Sequence, residues 1–359
     1  MSKIVISIDA MGGANAPNSV IEAISIFLTR RDDVFFEIYG IKSLILPKII
    51  EYNIEKDSYK LLDCPTTISD EDKPLDAWRK GKDSSMKKSI DAVKNGSAHA
   101  AVSSGNTGAL MLMSKMILDT LEEVKRPAIA GIFPCLKNEK AVILDMGANI
   151  ECDYVNLFHF ALMGSCFAKT LLNKKNPRIG ILNIGTESTK GRELEQKTYE
   201  ILEKSGLNFI GFIEAHEIVE GKADVVVTDG FCGNIFLKSS EGTANACVQL
   251  VKESISNGNW FIKLCAKPIK PYLQKAFEVI DPNKNNGAMF IGLNGVVVKS
   301  HGSSITEGVV NAIEKAYQLH KNDINKKILE EIHNFEEVGI GLNFVDKIKK
   351  TSAKILGMN

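Results

Sequence analysis

Several loops of this sequence place small polar residues between an apolar run and a predicted helix, which is the pattern of an anion site. The clearest is RIGILNIGTESTKGRE, over residues 178–193, where Gly185 ends a short apolar strand. Its polar residues are Thr186, Ser188, Lys190 and Arg192. Free N–H groups at a helix start and the helix dipole favour a bound anion, and Lys190 adds a full positive charge. The stretch by itself is equally compatible with an ordinary loop that carries two solvated cations.

Similar loops follow other predicted strands. In ADVVVTDGFCGN, over 223–234, Asp229 and Asn234 follow an apolar run, and a helix is predicted from about Ile235. The strand over 98–102 runs into Ser104, Gly105, Asn106 and Thr107, and the strand over 141–146 leads to Asp145 and Asn149. Ligands of open α/β sheets bind outside the carboxyl ends of the strands. We therefore expect these loops to contribute to one binding site.

The first predicted strand, over 3–8, ends in a glycine turn that contains Asp9, Gly12 and Gly13. Asp9 is a candidate ligand contact, although a carboxylate there could equally accept loop N–H groups. Ser84 and Ser85 stand at a helix start, and the cations around them are Arg79, Lys80, Lys82, Lys87 and Lys88. This is a reasonable oxyanion site, and a solvated charged face is the alternative. His301, in KSHGSS, could donate to phosphate, carry a proton or fix a loop.

Composition limits the class of protein. The chain has 359 residues, of which 44% are hydrophobic, so it can bury a large core as one α/β domain or two intimate lobes. Its net charge is zero, which gives no reason to expect nucleic acid as a partner. The seven cysteines contain no C-x-x-C pair, which indicates reduced thiols in a cytoplasmic protein. We find no signal-peptide pattern, no run of transmembrane length and no spacing typical of a metal site.

The polar loops need a frame of alternating strands and helices. Besides the strands named above, apolar runs predict strands over 34–39, 59–62, 128–134 and 179–184. Helical periodicity predicts helices over 18–28, 44–52 and 154–172, among others. His159, inside the last of these, is interpreted as a packed residue. This alternation indicates an α/β fold.

Taken together, eight stretches of the chain resemble the PlsX family of phosphate acyltransferases. They are IDAMGG (8–13), KDSSM (82–86), VSSGNTGAL (102–110), RPAIAG (126–131), DMGAN (145–149), LNIGTESTKG (182–191), VTDGFCGN (227–234) and GLNGVVVKSHGSS (292–304). Ala14 stands where the family usually has aspartate, and the stretch 286–289 reads NGAM where the family usually has Gly-Gly-Ala-Pro. The resemblance fades from about residue 324 to residue 359.

The resemblance implies a three-layer α/β/α sandwich, similar to the isocitrate and isopropylmalate dehydrogenases and to phosphotransacetylases. We expect one large catalytic domain over 1–323, with a helical hairpin excursion over 252–280, and a helical tail over 324–359. The implied reaction moves a long-chain acyl group from acyl-acyl carrier protein to inorganic phosphate for phosphatidic acid synthesis, without metal or cofactor. The resemblance also implies a homodimer and an acyl phosphate product that is passed to a membrane acyltransferase.

Within the matched motifs, Lys190 and Asn234 occupy positions that the family implicates in catalysis. Phosphate is already nucleophilic at neutral pH, so the protein needs to hold it beside a thioester carbonyl and to stabilise the oxyanion that forms. The other expected phosphate- or substrate-binding residues are Asp9, Gly12, Gly13, Ser84, Ser85, Ser104, Gly105, Asn106, Thr107, Asp145, Asn149, Thr186, Ser188, Asp229 and His301.

Two other functions remain open at this level. An NAD-dependent hydroxyacid dehydrogenase on the related fold would need a cofactor fingerprint and a metal-binding aspartate pair, and the sequence contains neither. A non-catalytic ligand-binding module is the second alternative, and the several polar strand-end loops argue against it.

The stretch 252–277 combines apolar side chains with cations. Its apolar residues include Trp260, Phe261 and Leu264, and Lys263, Lys267 and Lys270 lie between and after them. We expect Asn257-Gly258-Asn259 to end one helix, and Pro268 and Pro271 to break the next. Such a segment suits a membrane interface or an acidic partner such as acyl carrier protein, which predicts peripheral membrane association. A hairpin packed on the dimer partner, with its lysines solvated, is the alternative.

Overall fold

The structure, a computed structural model, describes residues 3–279, 281 and 283–337. Within these residues one mixed sheet of eleven strands forms the centre of the molecule. In chain order the strands are β1 (Ile4–Asp9), β2 (Val34–Gly40), β3 (Tyr59–Asp63), β4 (Ala100–Ser103), β5 (Ala128–Pro134), β6 (Lys140–Leu144), β7 (Ile179–Leu182), β8 (Phe209–Ile213), β9 (Val225–Val227), β10 (Ala288–Ile291) and β11 (Val296–Lys299). Their order across the sheet is β3-β2-β1-β4-β11-β10-β5-β6-β9-β7-β8.

Helices cover both faces of this sheet. They are α1 (Asn18–Arg30), α2 (Lys42–Glu51), α3 (Pro74–Lys80), α4 (Ser85–Lys94), α5 (Thr107–Leu118), α6 (Tyr154–Leu171), α7 (Glu193–Glu203), α8 (Ala215–Glu220), α9 (Gly230–Ser256), α10 (Trp260–Val279), α11 (Thr306–Lys321) and α12 (Ile324–Glu337). One face packs against α1, α6, α11 and α12. The other face packs against α3, α4 and α5 on one half of the sheet and against α8 and the start of α9 on the other half. The three-layer α/β/α architecture is therefore confirmed.

The period of two along each strand decides which layer a side chain enters. In β6, Val142 and Leu144 join the core under α6, whereas Ile143 points to the opposite face beside α9. Because both faces are covered, the strands are nearly continuous apolar runs. These are the runs from which the sequence predicts strands.

The strands do not all run in one direction. β3, β2, β1, β4 and β11 are mutually parallel, and β6, β9, β7 and β8 are mutually parallel. The antiparallel pairs β11–β10, β10–β5 and β5–β6 lie between these two groups, so the second group runs opposite to the first. The sheet thus has two halves whose strands approach the centre from opposite sides.

The register brings the carboxyl ends of the two halves to the same level. Ser103, at the end of β4, pairs with Lys299, at the end of β11, and Lys299 pairs with Ala288 of β10. Gly131 of β5 lies beside Ala288 and pairs with Ile143, close to the end of β6. Loops that leave either half of the sheet therefore meet over β10 and β5.

Helix α10 differs from the sequence prediction. A helix does end before Asn257-Gly258-Asn259, as predicted, but Pro268 and Pro271 do not break the next one, since α10 continues through both. Each proline removes a hydrogen bond to the carbonyl four residues earlier, on Leu264 and Lys267. Both of these residues are exposed, so water can satisfy the freed carbonyls. None of the described helices combines the length and the apolarity needed to cross a bilayer.

The predicted tail begins as a helix that packs on the main core. Ile324, Ile328 and Ile332 are buried on one face of α12, which contacts α6. Residues 338–359 lie outside the described residues. The division at residue 323 stays a prediction.

Helix α9 contains two glycines in very different surroundings, which permits a matched test of its packing. A Cβ on Gly233 would lie 1.9 Å from the backbone oxygen of Asp145, whereas a Cβ on Gly242 would meet no heavy atom within 4 Å. We expect Gly233→Ala to lower the free energy of unfolding by about 1–3 kcal/mol, because the helix must move off the end of β6. Gly242→Ala should raise it by about 0.5–1 kcal/mol. Denaturant unfolding of both variants measures this, and equal effects would contradict the packing.

Candidate active site

A cleft of about 1470 Å³ opens where the strand ends of the two sheet halves meet. Thr107, Lys299 and His301 border it from one half, and Leu182, Asn234 and Phe236 border it from the other. Gly131 and Ala288 of the two central strands lie between them. The cleft therefore draws its lining from both halves of the sheet.

On the first half, a buried carboxylate holds three elements together. Asp9 accepts hydrogen bonds from Ser85 Oγ at 2.6 Å, from Ser103 Oγ at 2.7 Å and from the N–H of Met11 at 3.2 Å. Burial raises the pKa of Asp9, and these hydrogen bonds act in the opposite direction. A Cβ on Gly12 would lie 2.5 Å from the backbone nitrogen of Gly105, so the two glycine loops touch. Asp9 thus joins β1, α4 and β4 from inside the protein.

Gly13 extends this contact between loops. Its φ of +95° is rarely adopted by other residues, and a Cβ there would lie 2.8 Å from Ser104 Cβ. The next residue, Ala14, donates its N–H to the carbonyl of Gly302. Asn15 donates to the carbonyl of Ser304 at 3.0 Å. The glycine turn is therefore packed between the loops that follow β4 and β11.

Ser84 and Asn106 cap helices. Ser84 Oγ accepts from the N–H of Lys87 at the start of α4, and Asn106 Oδ1 accepts from the N–H of Ala109 at the start of α5. The amide of Asn106 also donates to the carbonyls of residues 69, 70 and 72, at 2.9–3.1 Å. Lys87 and Lys88, which the sequence places beside the two serines, form ion pairs with Asp91 and Asp83 respectively.

On the second half, Asp145 serves as an internal acceptor. Its carboxylate accepts from the N–H groups of Ile129, Gly147, Ala148 and Asn149 and from the side-chain amide of Asn149, at 2.7–3.2 Å. Burial raises the pKa of Asp145, and these donors counteract the shift. The amide of Asn149 also donates to the carbonyl of Pro127 at 2.7 Å. The pair fixes the loop after β6 against the start of β5.

Asp229 caps α9 and pairs with the loop of the opening motif. Its Oδ1 accepts from the N–H of Cys232 at 2.7 Å, and its Oδ2 lies 2.5 Å from Arg192. Arg192 also binds the carboxylate of Glu195, three residues along α7. This ion pair holds the end of the 183–192 loop beside the start of α9.

The two residues expected to act in catalysis differ in position. Asn234 is exposed in the first turns of α9 and borders the cleft beside Gly147, and its side-chain amide makes no hydrogen bond to any described residue. Lys190 is exposed on a loop whose end is held by Asn183, which donates to the Lys190 carbonyl at 3.1 Å. Its side chain does not border the cleft. Thr186 and Ser188 are exposed on the same loop.

Lys299 is not among the residues that the sequence predicts for this site, although it borders the cleft. It ends the run VVVK of β11, and it is buried. Lys299 Nζ donates to the carbonyl of Ser104 at 3.2 Å and to that of Ser300. Burial lowers the pKa of Lys299 to about 8. A cation directly after an apolar strand, followed by SHGSS, is the signal that could have identified it.

The loop after Lys299 is joined to the stretch that departs from the family pattern. Asn286 donates to Ser300 Oγ at 2.8 Å and to Ser304 Oγ at 2.6 Å, and its oxygen accepts from the N–H of His301 at 2.9 Å. His301 Nδ1 lies 2.9 Å from Ser303 Oγ, and burial lowers the pKa of this histidine. His301 borders the cleft from this loop. In the described part of the chain, no three His, Cys, Asp or Glu side chains form a metal site.

A family model described as "Fatty acid synthesis protein" matches residues 4–327 of the chain. The chain belongs to this family, the PlsX family. A relative from Wolbachia pipientis is 44% identical over 341 residues, which cover 93% of this chain and 98% of the relative. Another, from Ehrlichia ruminantium, is 42% identical over 338 residues, with 93% and 98% covered. Both relatives bear the name phosphate acyltransferase.

Solved phosphotransacylases share the fold of this PlsX family member. A phosphotransacetylase from Streptococcus pyogenes aligns with a TM-score of 0.60 at 15% identity, and EutD phosphotransacetylase from Staphylococcus aureus aligns with 0.56 at 17% identity. Each alignment covers 89% of this chain and 94% of the other. At this identity the likeness establishes the fold alone.

Asn106 and Thr107 permit a test of which strand-end residues are structural. Asn106→Ala should lower the free energy of unfolding by about 1–2 kcal/mol, because it removes the α5 cap and the tie to residues 69–72. Thr107→Ala should stay within about 0.5 kcal/mol of the parent, because Thr107 is exposed. Thermal unfolding and proteolysis around residues 69–72 measure the difference. A parental stability for Asn106→Ala would exclude this structural role.

Proposed function

We propose that this PlsX family member transfers a long-chain acyl group from acyl-acyl carrier protein to inorganic phosphate. The product is an acyl phosphate for phosphatidic acid synthesis, which a membrane acyltransferase would use next. One observation carries the proposal: a single cleft has an apolar wall on one side and a buried cation on the other. The curated relatives, which are named phosphate acyltransferase, support the same reaction.

The apolar wall suits the acyl chain. Leu182, Val219, Ile235 and Phe236 border the cleft on the second half of the sheet, and Ile132 of β5 lies between the halves. The volume of about 1470 Å³ exceeds the roughly 300–1,000 Å³ that is usual for a small-molecule site. A long aliphatic substrate and a phosphate ion can therefore occupy the cleft together.

The reaction needs no nucleophile from the protein, because phosphate is the nucleophile. The protein must position the two substrates and supply positive charge. A phosphate oxygen attacks the thioester carbonyl carbon, the carbon–sulfur bond breaks, and the thiolate of the carrier protein leaves. Phosphate and thioester must be held at attacking distance, and donors must meet the oxyanion of the tetrahedral intermediate. Asn234, exposed at the cleft with an unused amide, can orient the phosphate or the carbonyl in this scheme.

In this proposal Lys190 contacts the bound phosphate from the exposed 183–192 loop. Its loop is held at Asn183 and Arg192, and its exposed side chain is free to turn toward bound phosphate. Thr107 and His301 border the cleft and are proposed to contact substrate. Asp9, Asp145 and Asp229 shape the surrounding loops through the hydrogen bonds described above.

The hairpin formed by the end of α9 and by α10 is the proposed contact with larger partners. Trp260, Phe261 and Leu264 are 76%, 58% and 52% exposed, and Lys263, Lys267 and Lys270 are exposed on the same helix. Each lysine or arginine near an anionic leaflet contributes roughly 1 kcal/mol to the free energy of membrane binding. We propose a cytoplasmic homodimer that binds membranes weakly and reversibly through this hairpin.

The experiment that tests the function offers an acyl thioester of carrier protein to the purified chain, with and without phosphate. Loss of thioester that requires phosphate, with formation of acyl phosphate, is the expected result. A change in nicotinamide absorbance with a hydroxyacid would instead indicate a dehydrogenase. The absence of both reactions would favour a binding module.

Lys190→Ala and Asn234→Ala test the catalytic roles. Removal of one such donor typically lowers turnover by about a hundredfold or more, so we expect kcat to fall by that factor. Both side chains are exposed, so melting temperatures should stay parental. Lys204→Ala and Asn95→Ala, which change exposed residues that do not border the cleft, are the matched controls and should retain activity. Near-parental kcat in either test variant would remove that residue from the mechanism.

Replacement of Lys263, Lys267 and Lys270 by glutamate tests the hairpin. The parent should float with anionic vesicles, less so at high salt, and the triple variant should not. A variant that floats normally but loses turnover on carrier-protein substrate would assign the hairpin to carrier protein. If neither property changes and sedimentation still gives a dimer, the hairpin serves only the structure.

Sedimentation of the parent tests the proposed homodimer, and a monomer at micromolar concentration would exclude it.

A further inference from the structure

Lys299 carries a buried charge that no carboxylate neutralises directly. Its ammonium group donates to the carbonyls of Ser104 and Ser300, and no carboxylate oxygen of the described residues lies within ion-pair distance. An ammonium group has three donors, and these carbonyls use two of them. A buried cation is costly unless it is paired and fully hydrogen-bonded. One donor of Lys299 therefore has no acceptor among the described residues.

The charges around Lys299 do not complete it. Asp9 and Asp70 are close enough to favour the charged lysine. However, the oxygens of Asp9 already accept from Ser85, Ser103 and Met11. On the facing helix α9, Lys238 opposes the charge of Lys299 and itself pairs with Glu241. The remaining titratable neighbour is His301, two residues along the chain.

The wall beside Lys299 also offers backbone donors. α5 begins at Thr107, which borders the cleft, and the N–H groups of Thr107 and Gly108 make no hydrogen bond to described residues. Lys299 reaches this wall through the carbonyl of Ser104, three residues before Thr107. The dipole of α5 adds to the positive potential at its amino end.

We propose that Lys299 anchors the phosphate ion in the cleft, with the first N–H groups of α5 as further donors. This inference rests on the proposed function, since it names the residue that holds the acceptor substrate. The proposal gives Lys299 and Lys190 different roles in the reaction. Lys299 lies on a rigid strand and binds phosphate before the reaction, whereas Lys190 lies on an exposed loop and acts during transfer.

A titration accompanies this binding. Burial lowers the pKa of Lys299 to about 8, so much of the lysine is neutral above that pH. A bound dianion favours the ammonium form and raises the pKa, so binding at about pH 8.5 draws a proton from solution. Sulfate is a suitable probe, because it does not itself titrate in this range. His301, whose pKa burial lowers, stays neutral there.

The experiment measures sulfate and phosphate binding by calorimetry on the full-length chain, at low salt and in buffers of different ionisation enthalpy. The parent should take up protons with sulfate at pH 8.5 and bind it more weakly as pH rises. Lys299→Gln should weaken both anions by about tenfold or more, which is the usual worth of one charged hydrogen bond. Lys140→Gln, at an exposed lysine on β6, is the matched control and should bind as the parent does.

Turnover measurements complete the test. Lys299→Gln should raise the KM for phosphate far more than it lowers kcat, whereas a purely structural lysine would not alter the proton uptake. Parental anion affinity in Lys299→Gln, or sulfate binding by the parent without proton uptake, would overturn the inference. If Lys299→Gln fails to fold, the proton uptake that accompanies sulfate binding by the parent still tests the inference. An inactive chain with lysine-dependent anion binding would count against the proposed function alone.

Discussion

The antiparallel pairing of β5 with both β10 and β6 is the constraint on which the rest of the structure depends. An entirely parallel sheet would place every polar loop at one edge. Here the direction reverses at the centre, and the register brings the ends of β4 and β11 level with the end of β6. The helix layer on that face is divided between the α3–α5 group and the α8–α9 group, and the cleft opens between them.

Buried carboxylates hold the loops on each side of this division. Asp9 joins β1, α4 and β4. Asp145 joins the loop after β6 to the start of β5, and Asp229 joins α9 to Arg192. A desolvated carboxylate is stable only where donors meet its oxygens, so each one forces glycine-rich backbone into a narrow set of conformations. Lys299 is the opposite case, because its two carbonyl partners leave one of its three donors without an acceptor among the described residues.

Helix α9 connects the cleft with the exposed hairpin. Its first turns pack so tightly on the loop after β6 that there is no space for a side chain at Gly233. The next residue, Asn234, borders the cleft. The helix has 27 residues and so extends about 40 Å, and none of its residues after Phe236 is buried. A partner that binds the hairpin would therefore contact the same helix that presents Asn234.

The sequence by itself determined the α/β class and most strands and helices, because local periodicity, glycine and capping residues specify these over short spans, and its motifs determined the family. It could not distinguish a carboxylate that binds ligand from one that binds backbone. The donors to Asp9 come from Ser85 and Ser103, 76 and 94 residues away, and only the fold brings them there. The burial of Lys299 likewise cannot be read from the sequence, because it follows from the insertion of β11 between β4 and β10. Pro268 and Pro271 show the converse: their local preference against helix is overridden in α10, where exposed carbonyls can bind water.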